Sequence, residues 1–269
     1  MKVSLLQMDL ALGQVTENAG KAWEMLHRAL EQGTEVAVLP ELWTTGYDLE
    51  RIHELAEEEA SSPTLARFAA LAREKGLALV LGSLPEKDCG RIYNTSWVLG
   101  PEGRVVGKYR KVHLFAPMGE PGYLSPGKEL STFELGGARC GLMICYDLRF
   151  PELCRALALR GATVIFVPSE FPKPRLHHWR TLLQARAIEN QLFVVAVNRI
   201  GEDNANGFFG HSMVVDPWGE VLFEAGEEEG VWTVELDLAR VEEVRRRIPC
   251  LRDRVPAVYG GLKQGRSRK

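Results

Sequence analysis

Short apolar runs alternate with amphipathic segments along almost the whole chain. The runs predict buried strands, because a short apolar stretch bounded by turn residues is typical of a strand that is covered on both faces. The predicted strands cover residues 3–8, 36–39, 77–84, 92–99, 105–109, 162–167, 192–198, 209–215, 221–224 and 231–236. Between them, apolar residues recur at helical spacing.

These amphipathic segments predict helices with recognisable ends. The first helix begins at a cap formed by Thr16 and ends at Gly33, and the second begins in the segment 61–64 and ends at Gly76. Further helices are predicted over residues 151–159, 176–190 and 238–247. Strands suited to parallel pairing, combined with hairpin-like pairs, predict mixed sheets covered by helices, which is an α/β fold built in layers.

The length and composition are compatible with a single large core. The chain has 269 residues, of which 45% are hydrophobic, and α/β folds of this size often form one domain. No linker, repeat or low-complexity segment interrupts the pattern. We therefore expect one domain over residues 1–260 and a flexible tail over residues 261–269.

Cys145 stands between an apolar run and a helix signal. Residues 142–144 are typical of the end of a strand, and Pro151 opens the helix that follows. A thiol on such a turn is held at an exposed apex, where helix N–H groups lower its pKa and can stabilise an oxyanion. The alternative is a small buried hydrophobic residue, and the turn alone does not decide between the two.

Two further segments end in charged residues. Glu41 follows an apolar strand, and Lys111 closes a cationic stretch before another apolar run. Taken singly, each residue is typical of a solvated surface charge. In their order and spacing, however, Glu41, Lys111 and Cys145 resemble the motifs of the nitrilase superfamily of carbon–nitrogen hydrolases. The resemblance covers residues 7 to about 256.

This resemblance implies a fold, an activity and an assembly. The family has an α-β-β-α sandwich fold and cleaves amides or related C–N bonds with a Glu-Lys-Cys triad, without a cofactor or a metal. Its sandwiches pair into an αββα:αββα dimer through two helices, which correspond to residues 151–159 and 176–190. We therefore expect at least a homodimer. The apolar residues that favour a second buried face on these helices are Leu153, Leu157, Leu159, Leu182, Leu183 and Ile188.

The three residue types can together perform amide hydrolysis. An amide carbonyl is a poor electrophile, so the reaction needs an activated nucleophile, a stabilised oxyanion and a protonated leaving nitrogen. The resemblance implies that Cys145 attacks while Glu41 takes its proton and later gives it to ammonia. Lys111 and the backbone N–H of Tyr146 would stabilise the oxyanion. Water would then hydrolyse the thioester, with Glu41 as the base.

A second glutamate lies between the lysine and the cysteine in this family and holds the lysine or the substrate nitrogen. Glu120 is our first candidate for this residue and Glu129 our second, and either could instead be an exposed loop carboxylate. We interpret Cys154 as a packed residue on the following helix. The adjacent pair His177 and His178 predicts no metal site, since neighbouring helical residues point in different directions and no third ligand is near.

The substrate is indicated by three segments, residues 171–180, 184–191 and 210–219, which are similar to the ω-amidase branch of the family. Those enzymes hydrolyse the terminal amide of 2-oxoglutaramate or 2-oxosuccinamate. The remote carboxylate of such a substrate requires a cation, for which Arg175 is the candidate and Tyr47 a weaker partner. Arg175 could instead cap a helix or pair with Glu170. Relatives that cleave deaminated glutathione or N-carbamoyl compounds share much of the pattern, and an inactive scaffold or a thiol acyltransferase are further alternatives.

The net charge and the cysteines argue against other classes of protein. A net charge of -3 gives no basic excess for nucleic acid, and no apolar run reaches the roughly 18 residues of a membrane span. The amino terminus begins a strand and lacks the features of a signal peptide. Five cysteines without metal-ligand spacing favour a reducing, cytoplasmic setting. The resemblance, not the composition, implies a small-molecule amide as the partner.

Overall fold

The structure is a computed structural model that describes residues 1–203 and 205–259. The strands are β1 (Lys2–Gln7), β2 (Val36–Val38), β3 (Ala78–Val80), β4 (Leu84–Asp88), β5 (Arg91–Leu99), β6 (Val105–Arg110), β7 (Thr132–Leu135), β8 (Ala138–Leu142), β9 (Val164–Ser169), β10 (Phe193–Asn198), β11 (Ile200–Glu202), β12 (Gly207–Phe209), β13 (Met213–Val215), β14 (Val221–Glu224) and β15 (Gly230–Glu235). The helices are α1 (Val15–Glu31), α2 (Ile52–Leu55), α3 (Pro63–Lys75), α4 (Pro151–Leu159), α5 (Leu176–Asn190), α6 (Ala239–Arg247) and α7 (Pro256–Tyr259). The predicted tail over residues 261–269 lies outside the described part of the chain.

Thirteen of the fifteen described strands form two mixed sheets, as the sequence predicts, and β11 pairs with β12 in a separate two-stranded sheet. The first sheet has the order β15-β1-β2-β3-β5-β4, and β6 also pairs with β5. The second sheet has the order β14-β13-β10-β9-β8-β7. In each sheet three strands are parallel, β1 to β3 in the first and β8 to β10 in the second, and the remaining pairs are antiparallel.

The alternation along each strand divides its side chains between two buried layers. On β1, Val3 and Leu5 belong to the apolar cluster that contains the second sheet with α4 and α5. Leu6, on the opposite face, belongs to the cluster that contains α1 and α3. The order is therefore helices, sheet, sheet, helices. Because the parallel strands are covered on both faces, β2 and β3 are entirely apolar and β9 and β10 nearly so, whereas β1 and β8 also contain polar residues.

Several predicted helix ends are correct. Helices α4 and α5 have the predicted bounds, and α3 begins after Ser62, whose side chain accepts a hydrogen bond from the Leu65 N–H and so satisfies a free donor of the first turn. Gly76 ends α3 in the left-handed conformation. The predicted Thr16 cap is wrong, because α1 already begins at Val15 and has no side-chain cap.

Two predicted strands are interrupted by glycines that adopt positive φ angles. The predicted strand over residues 77–84 divides into β3 and β4 at Gly82, where an added Cβ would lie 1.8 Å from the carbonyl oxygen of Pro40. The predicted strand over residues 209–215 divides at Gly210 into β12 and β13. The pattern of apolar residues does not reveal such close backbone approaches, so it does not predict that these strands are interrupted.

The strand directions bring the candidate residues to one end of the sandwich. Glu41 follows β2 and Lys111 follows β6, which runs in the direction of β2 because both it and β3 are antiparallel to β5. Cys145 follows β8 in the second sheet. The carboxyl ends of these strands therefore supply one site from both sheets.

Candidate active site

Cys145 occupies a strained turn after β8. It opens the 3-10 helix Cys145–Arg149 with a φ of 45°, a value that non-glycine residues rarely adopt and that is common at functional sites. The residue is only 4% exposed, so the predicted exposed apex is wrong. The reason is that Phe115 and Phe171 come from other segments and, with Tyr146, form the walls of a narrow recess that contains the thiol.

Glu41 is fully buried and accepts hydrogen bonds on both carboxylate oxygens. Its Oε1 accepts from the Tyr47 hydroxyl (3.2 Å), the Asn94 side-chain amide (2.8 Å) and the Lys111 ammonium (2.8 Å). Its Oε2 accepts from the backbone N–H of Glu170 (2.8 Å). Several donors on a buried carboxylate fix its position.

Lys111 lies between two carboxylates. Its Nζ is 2.8 Å from Glu41 Oε1 and 2.5 Å from Glu120 Oε1, and all three residues are fully buried. Burial alone would lower the pKa of Lys111, but the Glu120 and Glu41 carboxylates more than offset it and raise that pKa well above its ordinary value. The lysine is therefore a permanent cation at this site.

Glu120 is held in turn by the loop that carries it. Its Oε2 accepts the backbone N–H of Phe115 (2.6 Å), and its Oε1 accepts the Tyr47 hydroxyl (2.5 Å) as well as Lys111. Burial, followed by the nearby Glu120 and Glu41 carboxylates, raises the pKa of Tyr47 well above its ordinary value. Glu129 is exposed and lines a separate surface cleft, so the structure brings Glu120 and not Glu129 to Lys111.

The Cys145 thiol is protonated at neutral pH in this arrangement. Burial raises its pKa most, and the Glu41 carboxylate raises it further, both by its charge and by a hydrogen bond with the thiol. The Lys111 ammonium opposes this rise. The site thus combines a neutral thiol, a carboxylate in contact with it and a fixed cation, which is suited to moving the thiol proton to Glu41 as a new bond forms.

Two of the three candidate substrate contacts, Arg175 and Tyr146, lie at the same recess, and the third, Tyr47, does not line it. Arg175 and Tyr146 line it together with Cys145, and Arg149 and Pro172 complete it. The Arg175 guanidinium lies 5.7 Å from the centre of the Phe115 ring and donates to the Lys173 carbonyl at 3.2 Å. The alternative of a pair with Glu170 is wrong, since Glu170 binds Arg199 at 2.8 Å.

The residues interpreted as structural lie outside this arrangement. Cys154 is fully buried on α4, where burial raises its pKa to about 12, and His177 and His178 are exposed. Within residues 1–203 and 205–259, no group of three or more His, Cys, Asp or Glu side chains is placed to hold a metal ion. No helix in this part of the chain is long and apolar enough to cross a membrane.

Three residues of the site are not predicted from the sequence. Asn94 donates to Glu41 and also accepts the Lys111 backbone N–H through its carbonyl at 2.9 Å. Glu170 follows β9 as Glu41 follows β2, so its position at a strand end could have indicated in the sequence that it belongs to the site. Asp147 is fully buried two residues after Cys145. Asn94 has no such signal, because it lies inside β5 among other polar residues.

The fold and this group of residues define a carbon–nitrogen hydrolase. Residues 2–246 match the carbon–nitrogen hydrolase family, and the chain belongs to it. A 2-oxoglutaramate amidase from Bacillus subtilis is 45% identical over 93% of this chain and 96% of its own length. An ω-amidase from Homo sapiens is 36% identical over 96% of each chain.

A solved structure with the same fold carries a modified cysteine. It is a mutant of the amidase from Nesterenkonia sp. AN1, with an acetamide moiety covalently added at the active-site cysteine. That protein is 30% identical to this chain, and the TM-score is 0.87 over 98% of this chain and 97% of the amidase.

Proposed function

We propose that this chain is an ω-amidase that hydrolyses the terminal amide of 2-oxoglutaramate or 2-oxosuccinamate, giving the keto diacid and ammonia. The observation that carries the chemistry is the contact of the Lys111 ammonium with Glu41 and Glu120 beside the Cys145 thiol. The 45% identity to a 2-oxoglutaramate amidase supports the choice of substrate.

In the proposed first step, Cys145 Sγ attacks the amide carbon while Glu41 accepts the thiol proton. The carbonyl oxygen becomes an oxyanion, which Lys111 and the backbone N–H of Tyr146 stabilise. When the C–N bond breaks, Glu41 gives its proton to the leaving nitrogen, and ammonia departs from a thioester. Glu120 holds the Lys111 ammonium at the position where this negative charge develops.

In the second step a water molecule takes the place of ammonia. Glu41 removes a proton from the water as the oxygen attacks the thioester carbon, and the same donors stabilise the second oxyanion. The S–C bond then breaks, and the sulfur recovers a proton from Glu41. The net reaction converts an amide and water to a carboxylic acid and ammonia, and the enzyme is regenerated.

We propose that Arg175 binds the remote carboxylate of the substrate. It lines the recess beside Cys145, and among the described residues it forms no salt bridge. A guanidinium beside aromatic walls and without a carboxylate partner favours an anionic ligand. Tyr47 bridges Glu41 and Glu120, so its contacts support a role in fixing the two carboxylates, and it stays the weaker candidate for contacting the substrate.

The test is the release of ammonia from a panel of ω-amides, ureido acids and neutral short amides. We expect the highest kcat/KM with 2-oxoglutaramate or 2-oxosuccinamate. A preference for an N-carbamoyl acid or for deaminated glutathione would replace the substrate but leave the roles of Glu41, Lys111 and Cys145 in place. Transfer of the acyl group to an added amine in preference to water would make the enzyme an acyltransferase.

We also propose that two copies of the chain pair through α4 and α5. Leu159 is 49% exposed and Ile188 is 53% exposed, and both lie on these helices. Leu153, Leu157 and Leu183 are buried within the chain's own core and offer no second face, contrary to the sequence-based expectation. The five cysteines are all free, which supports a proposed cytoplasmic location.

A further inference from the structure

The two segments that carry Lys111 and Cys145 come from different sheets and must be held at a fixed separation. Lys111 follows β6 in the first sheet, and Cys145 follows β8 in the second. Hydrogen bonding within either sheet does not by itself fix this separation, because the two segments leave different sheets. A specific link between the two segments is therefore required for a precise site.

Asp147 forms such a link. Its carboxylate is fully buried and accepts four hydrogen bonds. Oδ2 accepts from the Ile144 backbone N–H at 2.9 Å and from the Tyr109 hydroxyl at 2.7 Å. Oδ1 accepts from the backbone N–H of His113 at 3.1 Å and from its ring Nδ1 at 2.7 Å. Three of the four donors belong to Tyr109 and His113, which lie two residues before and two after Lys111.

The same carboxylate also closes the strained turn at Cys145. The backbone N–H of Asp147 donates to the Ile144 carbonyl at 3.0 Å, while the Ile144 N–H donates back to the Asp147 side chain. These reciprocal bonds enclose Cys145 and hold it at its positive φ. Such a conformation persists only where its surroundings fix it.

A second set of contacts runs along the same junction. The His113 ring stacks on Phe150, with centroids 3.6 Å apart and planes within 7° of each other. Phe115 contacts Tyr146 at 4.8 Å between centroids. The loop after β6 and the turn after β8 are thus joined over several residues, with Asp147 as the only buried carboxylate shared between them in the described part of the chain.

We propose that Asp147 is a positioning residue, which holds the Cys145 turn in its strained conformation and aligns Lys111 with the thiol through Tyr109 and His113. The proposal rests on the roles given above to Cys145 and Lys111. The four hydrogen bonds of the Asp147 carboxylate go neither to the thiol nor to the ammonium. A purely structural residue would stabilise the fold without affecting the coupling between these two groups, and the experiment below separates the two cases.

Two variants test the link at different points. Asp147→Asn replaces one acceptor oxygen with an N–H donor that faces other donors, so it disrupts both the turn and the alignment. Tyr109→Phe removes only the hydroxyl that joins the Lys111 segment to Asp147 and leaves the bonds that enclose Cys145. We expect kcat to fall about 10²-fold in Asp147→Asn and about tenfold in Tyr109→Phe, with KM nearly unchanged.

Asp216→Asn is the matched control. Asp216 is also buried, and its Oδ1 accepts the backbone N–H groups of Trp218 (2.8 Å) and Glu220 (2.9 Å) in the turn between β13 and β14. None of the hydrogen-bond partners of its side chain belongs to the candidate site. We expect this variant to lose stability but to keep the wild-type kcat per folded molecule, as judged from the thermal midpoint and the ammonia assay.

The decisive measurement is the rate at which iodoacetamide alkylates Cys145, followed by mass spectrometry of its peptide. The Lys111 charge favours the thiolate, so displacement of that charge slows alkylation at a fixed pH. We expect Tyr109→Phe to slow the reaction about tenfold in the wild-type background but not in the Lys111→Met background. Equal slowing in both backgrounds, or none in either, would overturn the proposal. This readout needs no substrate, so a wild-type protein that releases no ammonia would refute the proposed function alone.

Discussion

The backbone N–H of Glu170 donates to Oε2 of Glu41 at 2.8 Å, and it does so from the opposite sheet. The two oxygens of Glu41 are therefore unequal, since Oε1 accepts three hydrogen bonds and Oε2 accepts one. A carboxylate oxygen has two lone pairs, so Oε2 retains capacity for a proton. We infer that Oε2 is the atom that exchanges the proton with Cys145 and the leaving nitrogen.

Replacement of Cys145 and of Cys154 should separate catalysis from packing. Cys145→Ala removes the nucleophile, so ammonia release should vanish while the thermal stability stays within about 1–2 kcal/mol of wild type. Cys154→Ala leaves a small cavity under Asn190, whose side chain contacts the sulfur at 3.3 Å, and should cost about 1 kcal/mol while preserving kcat. An essential Cys154 with a dispensable Cys145 would show that the site is assigned wrongly.

Both Lys111→Met and Lys111→Arg should severely impair turnover. Methionine leaves Glu41 and Glu120 buried without their shared cation, and the planar guanidinium of arginine cannot occupy the position of an ammonium held 2.8 Å and 2.5 Å from their oxygens. Loss of one oxyanion donor typically lowers kcat by about 10²–10³. We expect methionine to be the worse replacement. A near-normal kcat in Lys111→Arg would mean that the lysine does not contact the developing charge.

The pH profile of Cys145 alkylation should report the charges around the thiol. Its pKa lies above the ordinary value, so the neutral thiol predominates at pH 7–8 and the rate should rise about tenfold per pH unit over that range. Glu41→Gln removes a charge that raises this pKa, so its profile should shift to lower pH although the variant hydrolyses no amide. Lys111→Met should shift the profile to higher pH. A shift of the Glu41→Gln profile to higher pH would contradict these electrostatics.

The three catalytic candidates were predictable from the sequence because Glu41 and Cys145 each follow an apolar run and Lys111 precedes one, in the order of the nitrilase motifs. The fold then brings the three segments together, as the resemblance to the nitrilase superfamily already implied. The choice of Glu120 over Glu129 depends on the turns around Glu120, and the apolar pattern does not describe these turns. The burial of Cys145 depends on Phe115 and Phe171, whose approach from distant segments is a tertiary feature.

The proposed dimer should dissociate when its apolar contacts become charged. We expect the wild-type chain to have at least twice its monomer mass of 30.0 kDa in solution. The double variant Leu159→Lys with Ile188→Lys should yield monomers, since charges opposed across a buried interface are strongly unfavourable. Val105→Lys, at a 45% exposed position on β6, is the control and should leave the mass unchanged. A wild-type mass near that of the monomer at micromolar concentration would refute the dimer.

Arg175→Met tests how the substrate carboxylate is recognised. If Arg175 binds it, KM for 2-oxoglutaramate should rise about tenfold or more, because a hydrogen bond to a charged group is worth about 1.5–3 kcal/mol. The contact exists in the ground state and in the transition state, so kcat should fall much less than KM rises. A neutral short amide never uses the arginine and should be almost unaffected. Arg180→Met on the same helix is the control, because Arg180 binds Glu224 at 2.7 Å, and it should leave both substrates unchanged. Equal losses on charged and neutral amides in Arg175→Met would instead identify a structural arginine.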